Sequence, residues 1–432
     1  MSVAVPLLDG AAAPPRLPRL LAEVAASWVS MAEHRRLGGP IPHASRRPRT
    51  DVIDAIARAG LRGKGGGAFP TARKLEAVAA GSGRPVVVVN GAEGEPASGK
   101  DKLLLARAPH LVVDGALVAA AAVGAREVVV CVDRHATNAL AAMRRAIDER
   151  ADSEPASVPL RLVGVPSHYV SGEETALVRW LNGGEAKPTM PPRPYERGVG
   201  GRPTLVDNVE TLAHAAHIVR WGPTWFREIG MRAEPGSTLV TVSGAVARPG
   251  VYEIPIGAAL PRLLERAGAS LDPAAVLVGG YFGTWLSAGQ VSDAHLSCDG
   301  LARYGGGLGC GVVVVLPPDA CGVIEAARVV SWLAASTAGQ CGSCVNGLAS
   351  VADAAGAVAR GRAPRDAAVQ LLRWVEQIEG RGACRLPDGA ARFLRSSLMT
   401  FQHELDRHLR GGHCPHHRSV LPLPDPVRDS WR

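Results

Sequence analysis

The sequence predicts an α/β fold built on a parallel sheet, followed by a smaller module of mixed strands and a helical C-terminal part. Two short valine-rich runs, 85–90 (PVVVVN) and 127–133 (EVVVCVD), have the pattern of strands buried on both faces of a parallel sheet. Helical patterns over 109–122 and 138–150 alternate with these runs, as in βαβ units. Beyond residue 236 the pattern changes, first to alternating strands and then to amphipathic helices.

The ends of the chain differ from its middle. Residues 1–50 are rich in proline and arginine, and we expect an N-terminal arm there with a short helix at 20–31. The α/β domain is predicted to cover 51–235. Residues 413–432 follow the last helical pattern and are predicted to form a tail.

The second and third modules follow the α/β domain. Within 236–318, an alternating run and a turn precede a helix at 260–267 and a strand at 276–278, which is the plan of a small β-grasp domain. Residues 319–412 are predicted to form a helical bundle, because apolar residues recur there at helical spacing. Its helices are expected over 322–335, 347–360, 363–379 and 390–409.

The composition excludes several protein classes. The chain has 432 residues, 47% of them hydrophobic and 20% charged, so it is neither disordered nor collagen-like. Its 50 glycines and 33 prolines, spread without a period, indicate tight turns and sites lined by backbone. Eight cysteines without an apolar leader favour metal ligands or buried thiols over a disulfide scaffold. No apolar run reaches the roughly 18 residues of a membrane span, so we expect a cytoplasmic protein.

The net charge of +8 permits a nucleic-acid partner, but the distribution of charge does not favour one. Basic and aromatic residues are not interleaved as a stacking groove requires. We therefore expect no nucleic acid, and an acidic protein as the better candidate partner.

A glycine-rich loop is the first candidate site. Residues 60–67 contain five glycines, with Arg62 and Lys64 between them. Glycines let backbone N–H groups approach a phosphate or a flat ring, and cations neutralise phosphate charge. The loop is neither a Walker loop nor a G-x-G-x-x-G turn after a strand. By itself it is compatible with a ligand cradle or with a flexible turn.

Three further stretches accompany this loop. An acidic turn, 90–96 (NGAEGEP), follows the first valine-rich strand, at the end of the sheet where α/β folds bind ligands. The others are 169–177 (YVSGEETAL) and 201–212 (GRPTLVDNVETL).

Together, the four stretches resemble the flavin-binding motifs of a known family, the NADH-binding 51 kDa subunit of respiratory complex I, which also occurs in NAD-linked hydrogenases and formate dehydrogenases. The family pattern of the loop is GLRGRGGAGFPT. The stretch 242–255 (VSGAVARPGVYEIP) resembles the family's SLBB, or soluble-ligand-binding, module. The resemblance covers about residues 50–410, and it implies an FMN-binding domain at 51–235, an SLBB-like β-grasp domain at 236–318 and an iron-sulfur-binding helical domain at 319–412.

The resemblance also implies roles for single residues. It assigns the FMN phosphate and ribityl chain to Gly63, Lys64, Gly65, Gly66 and Lys74. It assigns the flavin ring and the rest of the pocket to Asn90, Glu93, Tyr169, Gly172, Glu173, Glu174, Asp207 and Asn208. Glu95 and Glu174 would position the nicotinamide of NADH over the flavin ring, a role of proximity. Phe69 would stack on the adenine.

Several positions depart from the family pattern. Lys64 replaces an arginine, Ala92 a carboxylate and Asp207 an asparagine. Two further aromatic positions that would enclose the adenine are Ala77 and Arg193 here. Lost stacking faces cost about 1–3 kcal/mol each, by analogy with base–aromatic stacking. We therefore expect FMN to bind, and NADH to bind poorly or another donor to reduce the flavin.

The cysteine motif is also incomplete. The family holds a 4Fe-4S cluster by four thiolates, and this chain retains Cys341, Cys344 and Cys384, with Ala338 at the first ligand position. Three outcomes remain open: a 4Fe-4S cluster with another fourth ligand, a 3Fe-4S cluster with three thiolates, or two buried thiols and no cluster.

The remaining cysteines and histidines give weaker signals. The tail segment 413–417 (HCPHH) is a candidate source of the fourth ligand, or a solvated end. Cys131 is expected in a strand core, and Cys298, Cys310 and Cys321 in loops or at strand edges. No zinc site is expected.

Two functions fit these residues. The first is a flavin-dependent, NADH dehydrogenase-like oxidoreductase that passes electrons from NADH or another donor to FMN, to an iron-sulfur centre and to a redox partner, either ferredoxin-like or a complex I-type subunit. The second is a degenerate relative, a flavin-loaded docking or assembly subunit that does not oxidise NADH. Either would be cytoplasmic or peripheral on a membrane complex.

Overall fold

The computed structural model describes residues 17–24, 29–38, 49–153, 158–269, 272–412, 414, 417–425 and 429–432. Most of the predicted arm lies outside these residues. Within it, the predicted helix at 20–31 is replaced by a 3-10 turn, Leu21–Glu23, and by α1, Met31–Gly38, with 25–28 outside the described residues. Glu253 accepts hydrogen bonds from the backbone N–H groups of Arg19 and Leu21, so this segment has tertiary partners in place of helical ones.

The first domain contains a four-stranded parallel sheet in the order β3-β2-β1-β4. Its strands are β1 (Val86–Gly91), β2 (Glu127–Asp133), β3 (Leu160–Val165) and β4 (Thr204–Asn208). Val87 and Val89 pack into the core on one face, while Val86 and Val88 pack into the core on the other. The sheet is therefore buried on both sides, as predicted.

Helices cover this sheet. They are α2 (Arg49–Ala59), α3 (Thr71–Ala79), α4 (Lys100–Arg107), α5 (Pro109–Val123), α6 (Thr137–Ser153), α7 (Glu174–Leu181), α8 (Val209–Trp221) and α9 (Pro223–Arg227). The predicted helices at 109–122 and 138–150 correspond to α5 and α6. Gly115 lets α5 and α8 touch, because a Cβ there would lie 1.9 Å from the carbonyl oxygen of Leu212.

The second module is a mixed five-stranded sheet in the order β6-β5-β11-β8-β9, with β5 and β11 parallel. Its strands are β5 (Ser237–Gly244), β6 (Gly250–Pro255), β8 (Ala275–Val278), β9 (Thr284–Ser287) and β11 (Val312–Leu316), and a small ribbon pairs β7 (Ala258–Ala259) with β10 (His295–Leu296). Three helices belong to it: α10 (Leu260–Ala267), α11 (Ala288–Val291) and α12 (Cys298–Ala302). The hairpin, helix and strands follow the predicted β-grasp order.

The C-terminal bundle packs on this second sheet. Its helices are α13 (Gly322–Ala335), α14 (Ala349–Ala359), α15 (Ala367–Ile378), α16 (Leu386–Thr400) and α17 (Gln402–Leu409), with a π-helical turn at Ser343–Leu348. Val312 and Val314 of β11 face the bundle core, while Val313 and Val315 face the core that contains α10.

One predicted helix of the bundle, 390–409, is two helices. The break falls at Phe401, whose ring is buried against Trp285 with 5.1 Å between the ring centroids. A Cβ at Gly322 would collide with the same ring, so burial of Phe401 in this gap ends α16.

The domain limits at 51, 236, 319 and 413 stay predictions, because the hydrophobic cores extend across them. Leu239 of the second module belongs to the core of the first sheet, and Val170 of the first domain belongs to the core of the bundle. Among the described residues, no single helix has the length and apolar character to cross a membrane. One bent pair of helices, α4 and α5, has enough length and apolar character only when the two are taken together.

Candidate functional site

The candidate site lies where the strand order of the first sheet reverses. The chain passes from β1 to β2 and β3 on one side and returns to β4 on the other, and such switch points bind ligands in α/β sheets. Asn90 and Asn208, at the ends of β1 and β4, are register partners. Asn90 donates from Nδ2 to the carbonyl of Gly172 at 2.7 Å, and Asn208 caps α8 by accepting from the N–H of Glu210 at 3.0 Å.

The glycine-rich loop closes against this edge. The N–H of Gly63 donates to the carbonyl of Phe69 at 2.8 Å, and the N–H of Lys64 donates to Thr211 Oγ1 at 2.9 Å. A Cβ at Gly65 would lie 3.4 Å from that of Asn208, so this glycine brings the loop backbone against the end of β4. Gly66 has a φ of +111°, a left-handed conformation that glycine tolerates.

Ala68 is a feature of the loop that the sequence motif did not lead us to expect. It has a φ of +47° and is the one non-glycine residue with positive φ in the described parts of the chain. In an L-residue other than glycine this backbone costs about 1–2 kcal/mol. The sequence does hold a signal for this conformation. The family motif has Ala-Gly where this chain has Gly67 and Ala68, so the family has glycine at the position of Ala68.

The side chain of Lys64 is buried beside the glycine-rich loop. It is 8% exposed and lines a cavity of about 80 Å³ between the loop and the second module, together with Glu234 and Cys298. Burial lowers the pKa of Lys64, and Glu210 opposes that shift. The structure thus directs the charge of Lys64 toward the domain junction.

A second buried cation, Lys100, was not predicted. Its Nζ lies 2.8 Å from Asp101 Oδ1 and 2.9 Å from Glu210 Oε2, and it donates to Asn208 Oδ1 at 3.4 Å. Burial would lower the pKa of Lys100, but the two carboxylates outweigh it and raise that pKa. Burial raises the pKa of Asp101 to about 6, although Lys100 opposes the rise. Lys100 is therefore a fixed positive charge at the ends of β1 and β4.

Two residues predicted to meet the flavin ring also cap helices. Oε1 of Glu93 accepts from the N–H of Asp101 at 3.2 Å and Oε2 from the N–H of Lys102 at 3.0 Å, at the start of α4. Oε2 of Glu173 accepts from the N–H groups of Thr175 and Ala176 at 2.9 and 3.1 Å, at the start of α7. A carboxylate is favoured at a helix N-terminus by the unpaired N–H groups and the helix dipole. The structure gives both residues a structural role.

Glu95 lies at the junction of the three modules. Its Oε2 accepts from the hydroxyl of Tyr169 at 3.3 Å and from the N–H of Tyr281 at 3.0 Å, and its side chain is 7% exposed. Burial raises the pKa of Glu95 to about 7, although these hydrogen bonds lower it. The ring of Tyr169 meets Phe282 of the second module and Trp332 of the bundle edge to face. The Glu95 carboxyl therefore faces an interior junction.

The mouth of the site carries the remaining predicted residues. Lys74 Nζ lies 3.4 Å from Glu174 Oε2, and both side chains are about a third exposed. Burial raises the pKa of Asp207, and Lys74 counteracts the rise. Phe69 is 55% exposed, and Ala77 and Arg193 are exposed as well. The side chain of Phe69 is thus available for stacking, with no aromatic side chain at the other two positions.

These residues fit a flavin nucleotide. Gly172 closes on the acidic turn so tightly that a Cβ would lie 2.4 Å from the carbonyl oxygen of Ala92. Two buried hydroxyls beside the loop and this turn, Thr71 Oγ1 and Ser171 Oγ, have no hydrogen-bond partner in the part of the chain that the structure describes. Unpaired hydroxyls beside a glycine cradle suit a ligand with many polar atoms.

The three predicted cysteine ligands are neighbours. The N–H of Ala383 donates to Cys341 Sγ at 3.3 Å, and Cys344 lies on the π-helical turn. Burial raises the pKa of Cys344 to about 12, with the thiols of Cys384 and Cys341 adding to the rise. Three thiols and an N–H aimed at one of the sulfurs fit a cluster site with three protein thiolates. Ala338 supplies no donor atom.

The tail does not supply the fourth ligand from the residues that are described. Cys414 lies beside Cys321 and His408, and His417 accepts from the N–H of Cys321 at 3.3 Å. His413 and His416 are outside the described residues. Within 413–417, the described residues Cys414 and His417 are partly buried, and Leu421 beyond them is 2% exposed. The sequence gives no signal for this packing, because the partners are about ninety residues apart.

Three family models match the chain. They are described as the Nuo51 FMN-binding domain, over residues 56–217, the SLBB domain, over 239–280, and the NADH-ubiquinone oxidoreductase-F iron-sulfur binding region, over 325–408. These matches confirm the three kinds of module predicted from the sequence.

Curated relatives match over most of the chain. The NADH-quinone oxidoreductase F 2 subunit of Rhizobium meliloti (strain 1021) is 34% identical over 382 residues, which are 85% of this chain and 90% of the relative. The NADH-quinone oxidoreductase F subunit of Mycobacterium tuberculosis (strain ATCC 25618 / H37Rv) is 32% identical over 416 residues, 90% of this chain and 92% of the relative.

A solved structure, an NAD+-reducing [NiFe]-hydrogenase in the H2-reduced state, matches with a TM-score of 0.80 at 29% identity, over 93% of this chain and 68% of that one. In the air-oxidised state the TM-score is 0.78 at 29% identity, and the match covers 90% of this chain and 66% of the hydrogenase chain. The chain thus spans about two thirds of the hydrogenase chain.

Proposed function

Because the chain belongs to the family of the NADH-quinone oxidoreductase F subunit, we propose that it is an electron-transfer subunit that passes electrons from NADH through FMN to an iron-sulfur centre and on to a partner protein. The observation that carries the proposal is a hydrogen bond that joins the flavin motifs to the cysteine motif. Arg179 of α7 donates from Nη1 to Oε1 of Gln340, the residue before Cys341, at 3.2 Å. The cysteine group is therefore a neighbour of the helix that begins at the turn closing the flavin site.

The residues of this chain would bind FMN and orient its ring. The glycine-rich loop and Lys74 would hold the phosphate and ribityl chain, and Asn90 with Asn208 would face the flavin at the switch point. FMN, when bound, accepts two electrons as a hydride and releases them singly. Tyr169 lies against the acidic turn through its bond to Glu95, and Phe282 and Trp332 pack on the ring of Tyr169.

Flavin content tests this binding role. We expect the purified protein to contain FMN, and Lys74→Ala to lose most of it, since Lys74 lies at the open mouth of the site. Arg73→Ala removes the neighbouring exposed cation of α3 and is the matched control. Equal FMN content in the two variants would contradict the assignment, and a protein without FMN would contradict the proposed function.

The nicotinamide side is weaker than in the family pattern. The only aromatic residue that the three adenine positions retain is Phe69, and we propose that NADH binds with lower affinity than a fully aromatic site gives. Arg193 can stack its planar guanidinium or pair with a phosphate, which offsets part of the loss.

We propose a cluster held by the thiolates of Cys341, Cys344 and Cys384. Ala338→Cys restores the fourth thiol of the family pattern, so it is expected to raise the iron content after anaerobic reconstitution and to change the EPR signal from a three-iron to a four-iron type. Cys344→Ser is the control that should lose iron. Wild-type protein that takes up neither iron nor sulfide would contradict the cluster.

A second candidate function is a flavin-loaded docking subunit without NADH oxidation. Three positions favour it. Ala77 and Arg193 stand where the family has aromatic residues, and Ala338 stands where the family has a cysteine ligand. Flavin that stays oxidised in the presence of NADH would support it.

The relatives are named as subunits, so this chain is proposed to work with partner subunits. The net charge of +8 suits an acidic, ferredoxin-like partner by electrostatic steering. We propose a cytoplasmic location, free or peripheral on a membrane complex. A reduction rate of an acidic ferredoxin that does not fall with added salt would contradict this choice of partner.

A further inference from the structure

Three metal-binding side chains meet in the bundle, away from the proposed flavin and cysteine sites. Cys321 Sγ, His408 Nε2 and Cys414 Sγ all lie within 4.8 Å of one another. The distance from Cys321 Sγ to His408 Nε2 is 3.4 Å. Cys321 and His408 are buried, and Cys414 is partly buried.

The elements that carry these side chains explain their meeting. Cys321 is the residue before α13, and His408 lies in the last turn of α17. Cys414 follows α17 after a short turn. Glu404 precedes His408 by four residues, which places both side chains on one face of α17. Glu404 Oε2 lies 3.2 Å from Cys321 Sγ but not within 4.8 Å of all three donor atoms, so the carboxylate needs a side-chain rotation to become a fourth ligand.

We propose that Cys321, His408 and Cys414 bind a structural zinc ion, with Glu404 as the fourth ligand. A tetrahedral ion with Zn–S of about 2.3 Å and Zn–N of about 2.0 Å separates the sulfur and the nitrogen by roughly 3.5 Å, close to the 3.4 Å between Cys321 and His408. Thiolates with an imidazole select zinc over magnesium or calcium. Binding deprotonates both thiols and releases two protons.

The surroundings suit this ligand set. The N–H of Val323 donates to Glu404 Oε2 at 3.2 Å and so orients the carboxylate. Zinc with two thiolates and one carboxylate carries a net negative charge. Arg407 Nη1 lies 3.9 Å from Cys414 Sγ and compensates that charge.

The ion would fix the start of the tail to the bundle. Beyond Cys414, the N–H of Leu421 donates to Glu325 Oε2 at 2.8 Å, and Trp332 Nε1 donates to the carbonyl of Pro424 at 2.9 Å. At the far end, the ring of Trp431 stacks on His168 at 3.7 Å, and His168 directly precedes Tyr169 of a flavin motif. The ion would therefore anchor the start of a tail whose described end, Trp431, packs beside the flavin turn.

Metal analysis tests the site on the full chain. Protein purified with a reducing agent and supplied with zinc is expected to hold one zinc per chain, measured apart from iron. Cys321→Ser and Cys414→Ser are expected to lose it. Cys298→Ser, in the second module, and Cys344→Ser, in the cluster region, are expected to keep it. Zinc that is absent from the wild type, unchanged in both ligand variants, or lost in Cys344→Ser would overturn the proposal.

Two measurements on wild-type protein avoid dependence on the folding of variants. Cobalt in place of zinc is expected to give the visible absorption of a tetrahedral site with thiolate ligands, while octahedral spectra would contradict it. A zinc chelator is expected to expose the chain after residue 412 to a protease, and unchanged cleavage would contradict the anchoring role. A disulfide between Cys321 and Cys414, found by mass spectrometry in protein kept under reducing agent, would also overturn the site.

Discussion

The hydroxyl of Tyr169 donates a hydrogen bond to Oε2 of Glu95 at 3.3 Å, and this contact ties the turn of one flavin motif to the acidic turn of another. The Glu95 side of this contact is buried, so the contact is sensitive to the protonation of Glu95. Burial raises the pKa of Glu95 to about 7, and the bond from Tyr169 limits the rise.

Glu95→Gln is expected to change the pH dependence of stability. The folded-state pKa of Glu95 lies above the unfolded value of 4.5, so the folded state binds the extra proton between these values. Its contribution to stability is therefore full below about pH 4.5 and is lost as pH rises through 7, by about 3 kcal/mol in all. Thermal melts between pH 4.5 and 8 should show a flatter dependence in Glu95→Gln. Glu76→Gln, at an exposed position of α3, is the control. Parallel curves for wild type and Glu95→Gln would contradict the raised pKa of a buried Glu95 carboxyl.

Glu93→Ala separates two roles for this carboxylate. Because Glu93 accepts from the first N–H groups of α4, its loss should cost about 1–2 kcal/mol of unfolding free energy. The absorption spectrum of bound flavin should stay unchanged. Denaturant unfolding and the flavin spectrum measure the two effects, and a shifted flavin spectrum without loss of stability would favour the predicted contact with the ring.

Ala68→Gly is expected to stabilise the protein. Ala68 has a φ of +47°, and a glycine removes about 1 kcal/mol of backbone strain. The neighbouring change Gly67→Ala is the matched control, because its Cβ would meet nothing within 4 Å, and it should be near neutral. Denaturant midpoints check both, and a lower midpoint for Ala68→Gly would show that the alanine is not strained.

Adding aromatic faces should tighten NADH binding. Ala77→Phe and Arg193→Phe restore the stacking positions beside Phe69, and each face contributes about 1–3 kcal/mol, or roughly tenfold or more in affinity. The KM for NADH, with kcat as the companion readout, tests the effect. Ala57→Phe on α2, where the residue is also exposed, is the control. An unchanged KM in both variants would place the adenine elsewhere.

The sequence predicts part of this fold well, because some elements carry a local signal. The central residues of β1 (86–89) and β2 (128–132) are all apolar, as burial on two faces requires. β3 was not predicted because Arg161 interrupts its apolar pattern, and β4 because it lies inside a motif that ends in polar residues. The break at Phe401 depends on a gap beside Gly322, which only the packed bundle defines.

The site shows the same division. The glycine loop, Asn90, Asn208 and the three cysteines are recognisable from short motifs. The helix caps formed by Glu93 and Glu173 are not recognisable in this way, since both carboxylates lie in motifs that the resemblance assigns to the flavin ring. Lys100 and the pair Cys321 and Cys414 depend on contacts between distant segments, for which one sequence holds no local pattern.

An anaerobic titration of the purified, FMN-containing protein with NADH tests the central claim most directly. The account predicts that the flavin absorption bleaches on addition of NADH, with a midpoint at high NADH concentration because two aromatic faces are missing, and that the cluster signal follows. A flavin band that stays oxidised with excess NADH, while a chemical reductant bleaches it, would contradict the account and favour the docking subunit.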